Sequence, residues 1–122
     1  MKKFVLLLLA VTLLMTACSF TKYPMDDQHK KYGDKAIEIA DQYLDYELTV
    51  DEAYEKISSL NDSRKTLPTV EKDDKNYDGN FFVESEVSLL YFAFSSAKYR
   101  KDPSDILESR NRLASTLGKS AR

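Results

Sequence analysis

From Phe81 to Arg100 apolar side chains fall at nearly every angle of a helix: Phe82, Val83, Val87, Leu89, Leu90, Tyr91, Phe92, Phe94 and Ala97. A helix that is apolar around most of its circumference has no side suited to water, so it is usually the buried one. In a chain of 122 residues this predicts that segment 81–100 is the central element and that the rest packs around it. A competing reading leaves one flank of the same helix free for a partner or a lipid ligand.

The neighbouring segments are amphipathic. Ala36, Ile37, Ala40, Tyr43 and Leu44 recur at three- and four-residue steps, which predicts a helix over about Asp34–Glu47, with Asp34 as its cap after Gly33. Thr49-Val50-Asp51-Glu52 has the form of a capping box, and Leu48 before it can pack on Ala53 as a hydrophobic staple. Ala53, Tyr54, Ile57 and Leu60 continue that helix until Pro68 stops it by about Leu67. Residues 68–80 read as a charged loop. Asp102 and Pro103 are suited to begin a last helix, with Ile106, Leu107, Leu113, Ala114 and Leu117 facing inward and Gly118 ending it. Tyr43, Tyr54 and Tyr91 fall near the core, whereas Tyr46, Tyr77 and Tyr99 are expected at the surface. No run shows the two-residue alternation of a half-buried strand. The short connection between the first two helices forces an antiparallel pair. The expected fold is therefore all-α, a small three- to four-helix bundle of two antiparallel hairpins over residues 33–118, with 119–122 as a frayed tail.

The N-terminus has a different character. Met1-Lys2-Lys3 is positive, and Phe4 to Ala17 carries no charge. That apolar stretch is shorter than the roughly 20 residues a spanning helix needs and has the length of a signal-peptide core. Leu14-Met15-Thr16-Ala17-Cys18 resembles the lipobox of bacterial lipoproteins, with Met15 where Leu is usual. The resemblance covers residues 1–18 only. It implies that residues 1–17 are a signal peptide cut before Cys18, and that Cys18 carries diacylglycerol. It further implies a lipid-anchored protein on the extracytoplasmic face of the cell membrane. Residues 18–32 are then the lipidated cysteine and a polar tether, with Met25 to Tyr32 as an early turn of the first helix in the alternative.

Composition narrows the function classes. At 43% hydrophobic and 31% charged the chain matches an ordinary globular domain rather than a disordered one. Removing Lys2 and Lys3 from its 18 Lys and Arg leaves 16 against 20 Asp and Glu. Such an acidic balance is poorly suited to a phosphate backbone, so no nucleic-acid partner is expected. With one cysteine no intramolecular disulfide can form. His29, the single histidine, is placed in the tether, which leaves no Ser-His or Cys-His pair and no His- or Cys-based zinc site. Glu84 and Glu86 are two residues apart on a helix and diverge. The expected function is a non-enzymatic, membrane-anchored binding or accessory module with a protein partner and no cofactor.

One loop supports an alternative. Asp74-Lys75-Asn76-Tyr77-Asp78-Gly79-Asn80 matches the first half of a calcium loop, D-x-N-x-D-G, in which alternating oxygens surround a glycine turn. Its candidate ligands are Asp74, Asn76, Asp78 and Asn80, with Glu84 and Glu86 flanking Ser85 at the twelfth position, where a bidentate Glu is normal. The plainer reading is an Asx-rich turn capping the helix that follows. The alternative function is a weak calcium- or small-ligand-binding domain using loop 73–80.

Overall fold

A computed structural model describes residues 21–122; the signal-peptide segment 1–17 and Cys18 lie outside the described residues. Among the described residues four α-helices follow in order: α1 (Asp27–Leu44), α2 (Val50–Asp62), α3 (Tyr77–Arg100) and α4 (Ile106–Thr116). A 3-10 turn over Ser63–Thr66 prolongs α2. α1 and α3 each pack on all the other helices, while α2 and α4 flank that pair. The result is the expected small helical bundle, with α1 and α3 as its short diagonal. Among the described residues no helix is long and apolar enough to cross a membrane.

The core forms where the stripes of α1 and α3 meet. Ala36, Ile37 and Ala40 of α1 and Val83, Val87, Leu90 and Phe94 of α3 are buried, with Ala53 and Ile57 of α2 and Ile106, Leu113 and Ala114 of α4 closing the sides. Phe94 is fully buried, with Tyr43 of α1 edge-on to its ring at 5.4 Å. Tyr43, Tyr54 and Tyr91 are partly buried against this core.

Several ends obey their local signals. Thr49 Oγ1 accepts from the Glu52 amide at 3.2 Å, and Glu52 Oε1 accepts from the Thr49 amide at 3.1 Å, so the capping box is complete. Gly118, at φ 72°, occupies the left-handed position after α4. Its amide donates to the Ser115 carbonyl, and the Lys119 amide donates to that of Ala114, the pair of bonds that closes a Schellman turn.

Other boundaries differ from expectation for tertiary reasons. α1 begins at Asp27 rather than Asp34, and its cap is Asp26, whose side chain accepts from the His29 amide. The span 18–32 is thus not all tether. Gly33 lies inside the helix, buried, where a Cβ would come within 2.9 Å of the Leu117 side chain. α3 begins at Tyr77 rather than Phe81, so the charged loop ends at Asn76. α4 begins at Ile106 rather than Pro103, because Asp102 Oδ1 accepts from the Ser104 amide and hydroxyl and holds a turn there; Leu107 points outward.

The C-terminal residues are not frayed. Arg110, buried on α4, donates from Nε and Nη2 to the two carboxylate oxygens of Asp41 at 2.8 and 3.1 Å. It also donates to the Ser120 carbonyl at 2.6 Å. Lys119 pairs with Asp34 at 3.3 Å, and Arg122 reaches Asp41 and Asp45. Burial pushes the Asp41 carboxyl up, but the Arg110 and Arg122 hydrogen bonds outweigh it and leave it below the usual carboxylate range.

The entry of the chain depends on one glycine. At Gly79, in the first turns of α3, a Cβ would lie 2.0 Å from the Pro24 carbonyl oxygen. Only a residue without a side chain lets segment 21–26 lie against α3. Gly79→Ala, which would favour an isolated helix by about 1 kcal/mol, is therefore expected to destabilise this protein by about 1–3 kcal/mol through overpacking. Urea unfolding of both forms measures it, and a variant as stable as the parent would mean that the close approach is not made.

Candidate functional site

The two ends of the bundle differ. At the end where the chain enters, Asp26 gathers three partners. Its carboxylate accepts from the His29 amide and faces His29 Nδ1 at 2.9 Å. It also accepts from Asn80 Nδ2 at 2.9 Å, while its own amide donates to Asn80 Oδ1 at 3.2 Å. On the other side of the ring, His29 Nε2 faces Glu84 Oε1 at 3.0 Å. His29 is 1% exposed. The only histidine therefore lies in the packed interior and not in a tether. Both ring nitrogens face carboxylates, one on Asp26 before α1 and one on Glu84 of α3, so the cluster fastens α1 to α3.

The candidate ligands of the calcium reading are separated by the fold. Asp74 Oδ1 accepts from the Asn76 amide at 2.8 Å, a turn just before α3. Asp78 lies exposed in the first turn of α3, where its charge suits the helix N-terminus. Asn80 is buried and turned to Asp26, and Glu84 is turned to His29. Glu86 Oε1 accepts from Thr116 Oγ1 at 3.0 Å. Burial pushes the Glu86 carboxyl up, more than the Thr116 bond lowers it. Asp78, Gly79 and Asn80 thus belong to a helix and not to a loop folded around one centre. Among the described residues no group of three His, Cys, Asp or Glu side chains stands close enough to hold a metal ion.

α3 is both the central helix and partly uncovered. Val83, Val87, Leu90 and Phe94 are buried, but Phe81, Leu89 and Phe92 are 56%, 44% and 61% exposed. The flank that was open to a partner or lipid in the competing reading is therefore accessible. At its entry end the rings are contiguous: Phe81 lies 6.0 Å from Phe82, and Phe82 lies 4.8 Å from Tyr23.

At the opposite end, the α1–α2 turn and the residues before α4 border an open, mostly apolar cleft of about 680 Å³, lined by Tyr43, Leu44, Leu48, Val50, Pro103 and Leu107 together with Glu47, Thr49 and Glu52. Tyr46 stands on its rim, 96% exposed. Its φ is 62°, the left-handed region that most L-residues avoid. The reason is local: Tyr46 occupies the position after α1 that Gly118 occupies after α4, with the same bonds, Tyr46 amide to Tyr43 carbonyl and Glu47 amide to Gln42 carbonyl. Sequence reasoning placed Tyr46 at the surface but had no means of finding its backbone conformation, since nothing in Asp45-Tyr46-Glu47 marks a Schellman turn.

Comparison with family models, with curated proteins and with solved structures finds no match to this chain.

The entry cluster makes a prediction about acid. Burial pushes the Asp26 carboxyl up, but the hydrogen bonds from the His29 amide and ring and from Asn80 together leave it below its ordinary value of 3.8. A carboxyl lowered on folding stabilises fully above its unfolded value, and that contribution is lost as pH falls through the folded one. Urea melts over about pH 2 to 6 should therefore show wild type losing stability at the acid end more steeply than Asp26→Asn, which keeps a capping oxygen but no charge. Parallel profiles would refute the role of the Asp26 charge.

Proposed function

We propose that the protein is a lipid-anchored extracytoplasmic lipoprotein whose helical domain is a non-enzymatic binding module, and that the cleft bordered by Tyr46 receives a protein partner. The anchoring rests on the sequence of residues 1–18. The choice of surface rests on Tyr46: the turn after α1 needs left-handed backbone, which costs a large aromatic about 1–2 kcal/mol where Gly118 meets the same need after α4 without it, and the Tyr46 ring, almost wholly in water, gains no packing in return. Strain kept at an exposed residue is characteristic of functional positions, and Tyr is favoured at interfaces because its ring is rigid and amphipathic. Leu107 and Pro103 beside it supply apolar surface for a partner's apolar side chains.

This reading separates stability from binding. Tyr46→Gly removes the left-handed strain and should stabilise the fold by about 1 kcal/mol while abolishing photocrosslinking from a probe placed at Leu107 in intact cells. Crosslinks that persist in Tyr46→Gly, or no reproducible crosslinked protein from wild type, would reject the cleft. The anchor has its own check. Metabolic labelling with a palmitate analogue should mark wild type and not Cys18→Ala, and equal labelling of both would reject lipidation.

A further inference from the structure

The anchor and the entry end together fix how the domain stands on its membrane. Starting at Lys22 the chain is held to the bundle. The Lys22 amide donates to the Thr116 carbonyl of α4 at 3.0 Å, the Pro24 carbonyl lies in the notch at Gly79 of α3, and Asp26 is bound to Asn80. Cys18 precedes Lys22 by four residues, a reach of at most about 14 Å at about 3.6 Å per residue. A lipid on Cys18 therefore keeps this end of the bundle within about 14 Å of the bilayer surface.

The surface found there suits that position. Tyr23, Phe82 and Phe81 form a contiguous aromatic edge, and the Lys22 ammonium lies 5.6 Å from the centre of the Tyr23 ring. Phe81 is more than half exposed, although it follows directly after the buried Asn80 and precedes the buried Val83 by two residues. Aromatic rings with a flanking cation are favoured at the headgroup level of a bilayer, where rings sit among the upper acyl chains and the ammonium stays in water. We infer that the Tyr23–Phe82–Phe81 edge inserts into the headgroup region of the membrane that holds Cys18, and so fixes the bundle with the Tyr46 cleft facing away. This rests on the lipoprotein reading above. Because the mature chain is acidic, insertion depends on the rings and not on anionic lipid.

The absence of tryptophan from the chain allows a direct test. The full chain, processed in its host, is reconstituted into phosphatidylcholine vesicles with or without brominated acyl chains, as Phe81→Trp and separately as Tyr46→Trp. Mass spectrometry of the vesicle-bound protein reports lipid on Cys18. The inference expects Phe81→Trp emission to shift to shorter wavelength and to fall about twofold with brominated lipid, as for a ring buried at the headgroup boundary; Tyr46→Trp should do neither. Phe82→Trp gives an independent position should Phe81→Trp fold poorly, with helicity by circular dichroism as the check. Lipid on Cys18 with unquenched emission at both Phe81 and Phe82 overturns the orientation and leaves the anchor standing. Protection from quenching that grows with protein density would put a second copy over the edge, and also overturns it. An absence of lipid on Cys18 removes the anchor, and this inference with it.

Discussion

The carboxylate of Asp26 is the junction on which the arrangement of the helices depends. It caps α1 through the His29 amide, holds the His29 ring, and binds Asn80 of α3. One group thereby sets where α1 starts, how α1 registers against α3, and where the incoming chain lies. Because His29 also reaches Glu84, two successive turns of α3 are tied to the first turn of α1. Buried charges are costly unless paired and hydrogen-bonded. Here both ring nitrogens face carboxylates, so the cluster is tolerated only if α1 and α3 keep this register. Specificity of the α1–α3 diagonal is the gain, and α2 and α4 then pack on a pair already in place.

The opposite pole depends on an apolar core and a bidentate pair. Arg110 fixes α4 to Asp41 of α1 and draws the C-terminal residues back along the same helix. Asp34, Asp41 and Asp45 are spaced to share one face of α1, and Lys119, Arg110 and Arg122 meet them in turn. Most of these side chains are partly exposed, so each exposed pair contributes little on its own. Arg110 is the exception, being buried with its carboxylate bound at two points.

Much of this was readable along the chain, and the failures share a cause. Thr49 to Glu52 and Gly118 act through hydrogen bonds within a few residues, so their signals survive in sequence. In sequence Gly33 and Gly79 stand as a helix limit and a loop turn, since glycine disfavours helix interiors. Both are helical here because something distant in the chain occupies the space of a side chain: Leu117 at one, the Pro24 carbonyl at the other. The same blindness hid His29. Its ring, Tyr32 and Ala36 lie at three- and four-residue steps and extend the apolar stripe of α1 backward, a pattern that could have moved the start to Asp27 had Gly33 not been taken as its limit. Asn80 and Glu84, read as oxygens for a cation, instead meet partners 54 and 55 residues earlier.

α3 joins the two poles of the bundle. α3 has 24 residues, a length of about 36 Å at about 1.5 Å per residue, and runs from the entry cluster to the turn that precedes Pro103. If Cys18 carries lipid, the clamp on residues 22–26 transmits its position directly to α3. On that reading the length of α3 is the main contribution to the height of the Tyr46 cleft above the bilayer. A loose tether would spread a binding surface over all heights it can reach and dilute it at any one of them. A clamped bundle concentrates it at one height, which raises the effective concentration seen by a partner fixed at that level and lowers it for all others. Gly79 is what makes the clamp possible, so on the lipoprotein reading proposed above a residue without a side chain governs where a surface at the other end of the molecule is presented.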